Sequence, residues 1–162
     1  MKKNKIKNFD LIVIGGGSGG VRAARIASLH GAKVAICEKD KMGGTCVIRG
    51  CIPKKLLFYS SQFQNIFSYS NSYGWSTCGI KYDFLKMIKN KNKEITRLEK
   101  IYEKNIIASG ATIFKGEASF INENKIKINN DIINGDKIII ASGGSPISLK
   151  VLGSHFADDS DT

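Results

Sequence analysis

The pattern of apolar and polar residues over the first forty positions predicts a strand, a helix and a second strand. The apolar run Leu11 to Ile14 is short and continuous, which is typical of a buried parallel strand. After a glycine-rich turn, an alanine-rich segment from about Ser18 to His30 predicts a helix, and Gly31 is placed to end it. Lys33 to Glu38 is apolar again. The pattern therefore predicts a βαβ unit over Phe9 to Glu38.

The middle of the chain predicts two further helices separated by a loop. Pro53 suits the first turn of a helix, where its missing N–H costs nothing, and that helix extends to about Phe67. The polar, glycine-containing stretch Ser68 to Gly79 predicts a loop. A long helix is predicted over Asp83 to Ala108, where apolar residues recur at near-helical spacing. These apolar residues are Phe84, Ile88, Ile95, Leu98 and Tyr102.

Beyond Gly110 the pattern changes to short apolar segments that predict strands and a small antiparallel meander. The predicted strands are Thr112–Phe114, Glu117–Ile121, Lys125–Ile128, Asp131–Ile133 and a final Lys137–Ala141. The last of these ends in a turn beginning Ser142-Gly143. Leu149 to Thr162 shows no clear element. We therefore expect an incomplete α/β fold with a parallel sheet, crossover helices and a meander.

Composition and charge narrow the class of protein. The chain has 162 residues, 42% of them hydrophobic, which fits one globular domain or part of a larger one. No apolar run approaches the roughly 20 residues needed to span a bilayer. Met1 to Lys7 is basic, but no signal-peptide hydrophobic region follows it. These features predict a cytoplasmic protein with no membrane partner.

The net charge of +11 comes from 25 basic and 14 acidic residues, and most of the basic residues are lysines. The lysine-rich and asparagine-rich stretch Lys86 to Lys93 has little aromatic interleaving. Nucleic-acid binding would need a basic face with stacking or base-reading groups. We therefore expect a solvated lysine-rich surface and no nucleic-acid partner.

The glycine loop has the spacing and the context of a dinucleotide-binding turn. Gly15-x-Gly17-x-x-Gly20 follows a predicted strand and opens a predicted helix. Such glycines permit a tight turn, close approach of backbone to a pyrophosphate, and close packing of helix on strand. Glu38 ends the second strand about 20 residues later, where a ribose hydroxyl would need an acceptor. A glycine turn that binds no ligand is the alternative.

Four residues separate Cys46 and Cys51, which precede the helix predicted to start at Pro53. A zinc site would need a second compact pair of ligands, and the remaining histidines and cysteines do not supply one, so we expect no metal. A redox pair fits better, because a helix N-terminus and Lys54 or Lys55 would favour the reactive thiolate. Two unreactive buried cysteines are the alternative.

The complete segment Gly43 to Lys55, GGTCVIRGCIPKK, resembles the active-site segment of the FAD-dependent pyridine nucleotide–disulfide oxidoreductases. Lys54-Lys55 after Pro53 is similar to the glutathione-reducing branch of that family. The resemblance covers nearly all of the chain, although Ser142 stands where family members usually have threonine. It implies a Rossmann-like FAD-binding domain, of which residues 1–162 would be the N-terminal segment.

The resemblance also implies roles for individual residues. Cys46 would be the interchange thiol that attacks the substrate, and Cys51 the thiol that touches the flavin. Lys54 would lie near the reactive flavin nitrogen, with Lys55 as the alternative, and Glu38 would bind the adenosine ribose. The other implied FAD contacts are Gly15, Gly17, Ser18, Gly19, Gly20, Thr45, Cys46, Ala118, Ser142 and Gly143.

For the substrate, Ser18, Arg25 and Tyr102 match glutathione contacts of the family, although Tyr102 is equally well explained as a core aromatic. The implied reaction is NADPH-dependent reduction of glutathione disulfide by a homodimer. The NADPH domain, a returning FAD segment, the dimerisation domain and the acid–base His–Glu pair are expected outside this chain. Dihydrolipoamide dehydrogenase, mercuric reductase and a non-catalytic FAD-binding module are the alternatives.

Overall fold

The chain folds around one six-stranded sheet in a computed structural model that describes residues 6–147 and 149–159. The strands are β1 (Lys7–Ile14), β2 (Val34–Glu38), β3 (Thr112–Lys115), β4 (Ala118–Phe120), β5 (Lys125–Ile128) and β6 (Asp131–Ile140). The helices are α1 (Ser18–Leu29), α2 (Gly44–Ile48), α3 (Cys51–Tyr69) and α4 (Phe84–Ala108). Two 3-10 turns cover Ser70–Tyr73 and Ser154–Phe156.

The sheet combines a parallel part with an antiparallel part. Its spatial order is β3-β2-β1-β6-β5-β4. β1 pairs in parallel with both β2 and β6, and β2 pairs in parallel with β3. β4, β5 and β6 pair antiparallel. The predicted α/β class, the βαβ unit and the meander are confirmed, and the meander is continuous with the parallel sheet.

The residues of α1 explain why a helix forms and ends where it does. Gly17 is its N-cap residue, and Val21 and Ala24 on its inner face are buried. The helix ends at Leu29, with His30 as its C-cap residue. Gly31 follows with φ at +91°, the left-handed conformation that commonly terminates helices. Both predicted boundaries of this helix are confirmed to within one residue.

The prediction of two separate strands between Asp131 and Ala141 is wrong, because β6 runs without a break from Asp131 to Ile140. Its first half pairs with β5, and the strand pairs with β1 along its length. Gly135 lies inside the strand, where a Cβ would come within 2.8 Å of the Ile12 side chain. Gly135 therefore does not mark a turn; it makes room for a core isoleucine of the neighbouring strand.

Other boundaries differ from the prediction near the cysteines. The passage before Gly50 contains the short helix α2, and α3 starts at Cys51, two residues before Pro53. α3 reaches Tyr69, so the predicted loop is shorter and contains a 3-10 turn. The long helix α4 matches its prediction, with the Asp83 carboxylate accepting from the backbone N–H of Lys86 at 2.9 Å.

Side chains of the central strands alternate between two apolar clusters on opposite faces of the sheet. Ile12 belongs to one cluster and Val13 to the other, and both are completely buried. α1 and α4 cover the face that contains Val13, through Val21, Ala24 and Ile106. Cys37 lies in the opposite cluster, where burial raises the pKa of its thiol to about 12. Cys37 is therefore a core residue that stays protonated.

The end of the chain has little regular structure, as predicted. From Ala141 to Asp159 the described residues contain one 3-10 turn and no helix or strand. The predictions that extend to Met1 and to Thr162 fall partly on residues 1–5 and 160–162, outside the described residues. In the part of the chain that the structure describes, no helix is both long and apolar enough to cross a membrane.

Replacement of Gly135 by alanine is expected to destabilise the fold. The added Cβ would overlap the Ile12 side chain inside a packed core, which typically costs about 1–3 kcal/mol of unfolding free energy. Urea denaturation measures the change. Gly144→Ala is the control, because a Cβ there meets nothing within 4 Å. Combining Gly135→Ala with Ile12→Val should cost less than the sum of the two single changes, and simple additivity would contradict the overlap.

Candidate functional site

A cleft of about 620 Å³ opens at the carboxyl ends of β1, β2 and β6. This edge of a parallel sheet is where α/β proteins commonly bind ligands. Its walls come from the β1–α1 loop, the loop after β2, the cysteine segment and the chain after β6. The lining residues among those predicted from the sequence are Gly15, Gly17, Ser18, Gly19, Glu38, Thr45, Cys46, Cys51, Ser142 and Gly143.

Only glycine fits at Gly15 in the β1–α1 loop and at Gly20 in the first turn of α1. Gly15 has φ at +109°, and a Cβ there would be 2.2 Å from the Ala141 carbonyl oxygen. A Cβ on Gly20 would be 1.8 Å from the Gly15 carbonyl oxygen, which explains why Gly20 shapes the loop although it does not line the cleft. The loop therefore presents backbone, with the N-terminus of α1 at Ser18 and Gly19 facing the cleft. That arrangement suits a phosphate group.

The Glu38 carboxylate is fixed by two backbone donors. Its Oε2 accepts from the Gly16 N–H at 2.5 Å, and its Oε1 accepts from the Asp40 N–H at 2.8 Å. A carboxylate oxygen has two lone pairs, so each oxygen can accept a further hydrogen bond. Glu38 lines the cleft, and it is therefore an oriented acceptor for a ligand hydroxyl.

A smaller cavity of about 140 Å³ adjoins the cleft and shares Gly15, Glu38 and Ser142 with it. Ala118, at the start of β4, lines this cavity together with Gly116. The structure thus brings Ala118 to the glycine loop from a distant part of the sequence. Glu38 thus lines both spaces.

The cysteine segment is attached to the glycine loop through backbone. The Gly43 N–H donates to the Gly16 carbonyl at 2.8 Å, and Gly44 packs against Gly17. Gly44 has φ at +62°, and a Cβ there would be 2.6 Å from the Gly17 Cα. The packing of Gly44 on Gly17 therefore requires glycine at position 44. The two contacts place the two cysteines beside the N-terminus of α1.

Cys46 lies in α2, and Cys51 is the first residue of α3, so the two thiols face each other across a two-residue turn. Both thiols are free. The hydrogen bond with the Cys51 thiol and then partial burial raise the pKa of Cys46, which Lys54 partly opposes. The net direction is thus opposite to the expectation for Cys46, although two of the expected effects, the backbone hydrogen bond with Cys51 at the start of α3 and the charge of Lys54, do lower its pKa.

Lys54 and Lys55 differ in their effect on the pKa of Cys46. Lys54 is exposed on α3, and its ammonium lowers the pKa of Cys46 electrostatically. Lys55 is not among the groups whose interactions shift the pKa of Cys46. Lys54 is therefore the lysine that acts on Cys46, although neither lysine lines the cleft.

The three residues predicted to contact a substrate do not share one surface of the cleft. Ser18 lines it, whereas Arg25 and Tyr102 do not. Arg25 is exposed on α1. Tyr102 is partly buried against the apolar cluster that contains Val21 and Ala24, which favours its interpretation as a packing residue.

Sequence reasoning missed four charged residues of the cleft, namely Lys39, Asp40, Lys41 and Arg49. Asp40 and Arg49 form an ion pair at 2.6 Å. The position of Arg49 between the two cysteines was the only available signal, and the pairing with Asp40 depends on the tertiary fold. Among residues 6–147 and 149–159, no three His, Cys, Asp or Glu side chains are grouped as a metal site would require.

The chain matches known proteins over nearly its full length. Residues 9–161 match the family described as pyridine nucleotide-disulphide oxidoreductase. The chain is 45% identical over 154 residues to a glutathione reductase of Burkholderia cepacia. It is 39% identical over 165 residues to the chloroplastic/mitochondrial glutathione reductase of Pisum sativum, and 38% identical over 149 residues to that of a Nostoc species.

These alignments cover 95%, 95% and 92% of this chain but 34%, 30% and 32% of the three relatives. The chain thus spans about a third of the length of the curated relatives it matches. The family match covers the β1–α1 loop, the cysteine segment and all of the sheet except the first two residues of β1. On that match, this chain belongs to the pyridine nucleotide-disulphide oxidoreductase family.

Proposed function

We propose that the cleft binds FAD and that Cys46 and Cys51 are the redox-active thiols of a flavoprotein disulfide reductase. One observation carries the proposal: the paired thiols open onto the same cleft as the glycine loop and the Glu38 carboxylate. A dinucleotide site and a dithiol that share one cavity are the two parts that such an enzyme needs. A zinc site or a purely structural cysteine pair would not need the nucleotide features.

The residues of the cleft fit FAD. The bare backbone of Gly15, Gly17 and Gly19 and the N-terminus of α1 suit the pyrophosphate. Glu38 would accept from the adenosine ribose, and the smaller cavity beside Ala118 would take the adenine. Further contacts are proposed for Ser18, Gly20, Thr45, Cys46, Lys54, Ser142 and Gly143. When bound, FAD supplies two-electron transfer between a nicotinamide and a disulfide.

The two thiols can then carry out disulfide exchange. Deprotonated Cys46 attacks one sulfur of glutathione disulfide, forming a Cys46–glutathione disulfide and releasing one glutathione thiolate, which takes up a proton. Cys51 attacks the Cys46 sulfur, forming the Cys46–Cys51 disulfide and releasing the second glutathione. The dithiol thereby loses two electrons, and glutathione disulfide gains them. Lys54 would stabilise the Cys46 thiolate during attack.

Glutathione disulfide is the proposed substrate because the three relatives are named glutathione reductases. Ser18, Arg25 and Tyr102 stay proposed substrate contacts, with the position of Tyr102 giving the least support. NADPH as the electron donor and a homodimer are proposed on the same similarity. We also propose a cytoplasmic location, although one relative is named as chloroplastic/mitochondrial.

The chain is expected to bind FAD through its adenosine half. ADP should displace FAD, measured by flavin fluorescence, whereas FMN should bind weakly. Glu38→Gln loses a charge-assisted acceptor, which typically costs about 1.5–3 kcal/mol, so the Kd for FAD should rise roughly tenfold or more. Glu123→Gln, an exposed change away from the cleft, is the control. Equal Kd values for the two variants would contradict the assignment of Glu38.

Cys51→Ala should make Cys46 more reactive, because it removes the hydrogen bond that raises the Cys46 pKa. Below that pKa the alkylation rate follows the thiolate fraction, so each half-unit decrease raises the rate about threefold. Iodoacetamide labelling at pH 7, followed by peptide mass spectrometry, measures the alkylation rate of Cys46. Adding Lys54→Gln should slow labelling again, whereas Lys55→Gln should not. A slower reaction in Cys51→Ala would contradict the proposed pairing.

Cys51→Ala should also trap the exchange intermediate. After incubation with glutathione disulfide, we expect one glutathionyl group on Cys46, because the neighbouring Cys51 thiol that would release it has been removed. Cys78→Ala is the control, since it keeps both proposed redox thiols and should retain no adduct on Cys46. A stable adduct on Cys46 in that control, or none in Cys51→Ala, would contradict the proposed roles.

A further inference from the structure

The ion pair between Asp40 and Arg49 joins two walls of the cleft. The Arg49 Nη2 donates to the Asp40 Oδ2 at 2.6 Å. Asp40 lies in the loop after β2, and Arg49 lies between the two cysteines. The Arg49 side chain is 29% exposed and the Asp40 side chain 53% exposed, so water screens the pair only in part.

Asp40 is itself connected to the nucleotide half of the cleft. Its backbone N–H donates to the Glu38 Oε1, and the Glu38 Oε2 accepts from the Gly16 N–H. A continuous chain of hydrogen bonds therefore runs from the glycine loop through Glu38 and Asp40 to the Arg49 guanidinium. Its members lie on three different segments, so no local sequence pattern predicts it.

At the other end, Arg49 is part of the turn that sets the separation of the thiols. Its backbone N–H donates to the Thr45 carbonyl at 3.0 Å, and it is the C-cap residue of α2. Gly50 follows, where a Cβ would be 2.8 Å from the same carbonyl oxygen. Only these residues connect α2, which carries Cys46, to α3, which begins at Cys51. A constraint on Arg49 therefore constrains the distance between the two sulfurs.

We propose that Arg49 and Asp40 are positioning residues that hold Cys46 and Cys51 ready to close into a disulfide. This inference rests on the proposed function of the cysteines. Neither side chain takes part in the exchange itself. By holding the turn, the pair raises the effective concentration of one thiol at the other. The relevant equilibrium is dithiol plus glutathione disulfide giving the Cys46–Cys51 disulfide plus two glutathione thiols, which balances two electrons and two protons.

Equilibration of the full chain in glutathione buffers of defined ratio tests the proposal. After an acid quench and alkylation, mass spectrometry gives the ratio of disulfide to dithiol. Asp40→Asn and Arg49→Gln should each lower this equilibrium constant about two- to fivefold, the range expected for a partly exposed ion pair. Arg49→Lys keeps the positive charge, so its equilibrium constant should stay close to that of the unaltered chain. Circular dichroism verifies that each variant is folded.

A matched control exists on α4, where Arg97 pairs with Glu94 at 2.7 Å far from the cysteines in sequence. Arg97→Gln removes the same charge and should leave the constant unchanged. The double variant Asp40→Asn/Arg49→Gln should resemble the single variant Arg49→Gln, because Asp40→Asn has no ion pair left to remove once Arg49 is replaced. That result would support the proposal, since a general loss of stability would make the two effects additive.

Two results would overturn the proposal separately from the function. One is an unchanged constant in Arg49→Gln, and the other is additive effects in the double variant. If the unaltered chain forms no Cys46–Cys51 disulfide at any glutathione ratio, the proposed redox function fails and this inference fails with it.

Discussion

The cleft depends on direct contact of backbone with backbone between two glycine pairs. Gly43 donates to Gly16, and Gly44 packs on Gly17, with no side chain between the two segments. A Cβ at Gly44 would separate them, because it would overlap the Gly17 Cα. The cysteine segment could then no longer lie beside the N-terminus of α1. The proposed combination of dinucleotide binding and thiol chemistry follows from this one contact.

The sheet supports that contact by fixing where the loops begin. β1 lies between β2 and β6, and all three end at the same edge because they are parallel. The continuity of β6 matters for the same reason, since it links the meander that carries Ala118 to the turn at Ser142. The small cavity is accordingly lined both by Ala118 of the meander and by Ser142 of that turn.

Electrostatics in the cleft acts mainly through short-range hydrogen bonds. The chain carries +11 net charge, but the groups that shape the site are two carboxylates held by backbone N–H groups and by Arg49. The Cys46 pKa responds first to its neighbouring thiol and only then to Lys54. The electrostatics of the cleft therefore depend on the contacts of individual groups and not on the net charge of the chain.

The sequence by itself determined the βαβ unit, the glycine turn and the cysteine pair, because each depends on residues close together along the chain. Apolar runs, a glycine spacing and a proline are local signals. Only the tertiary structure decided that Gly135 lies within a continuous strand, since Ile12 of another strand requires it. Likewise, the raised pKa of Cys46 and the pairing of Asp40 with Arg49 depend on groups that meet only after folding.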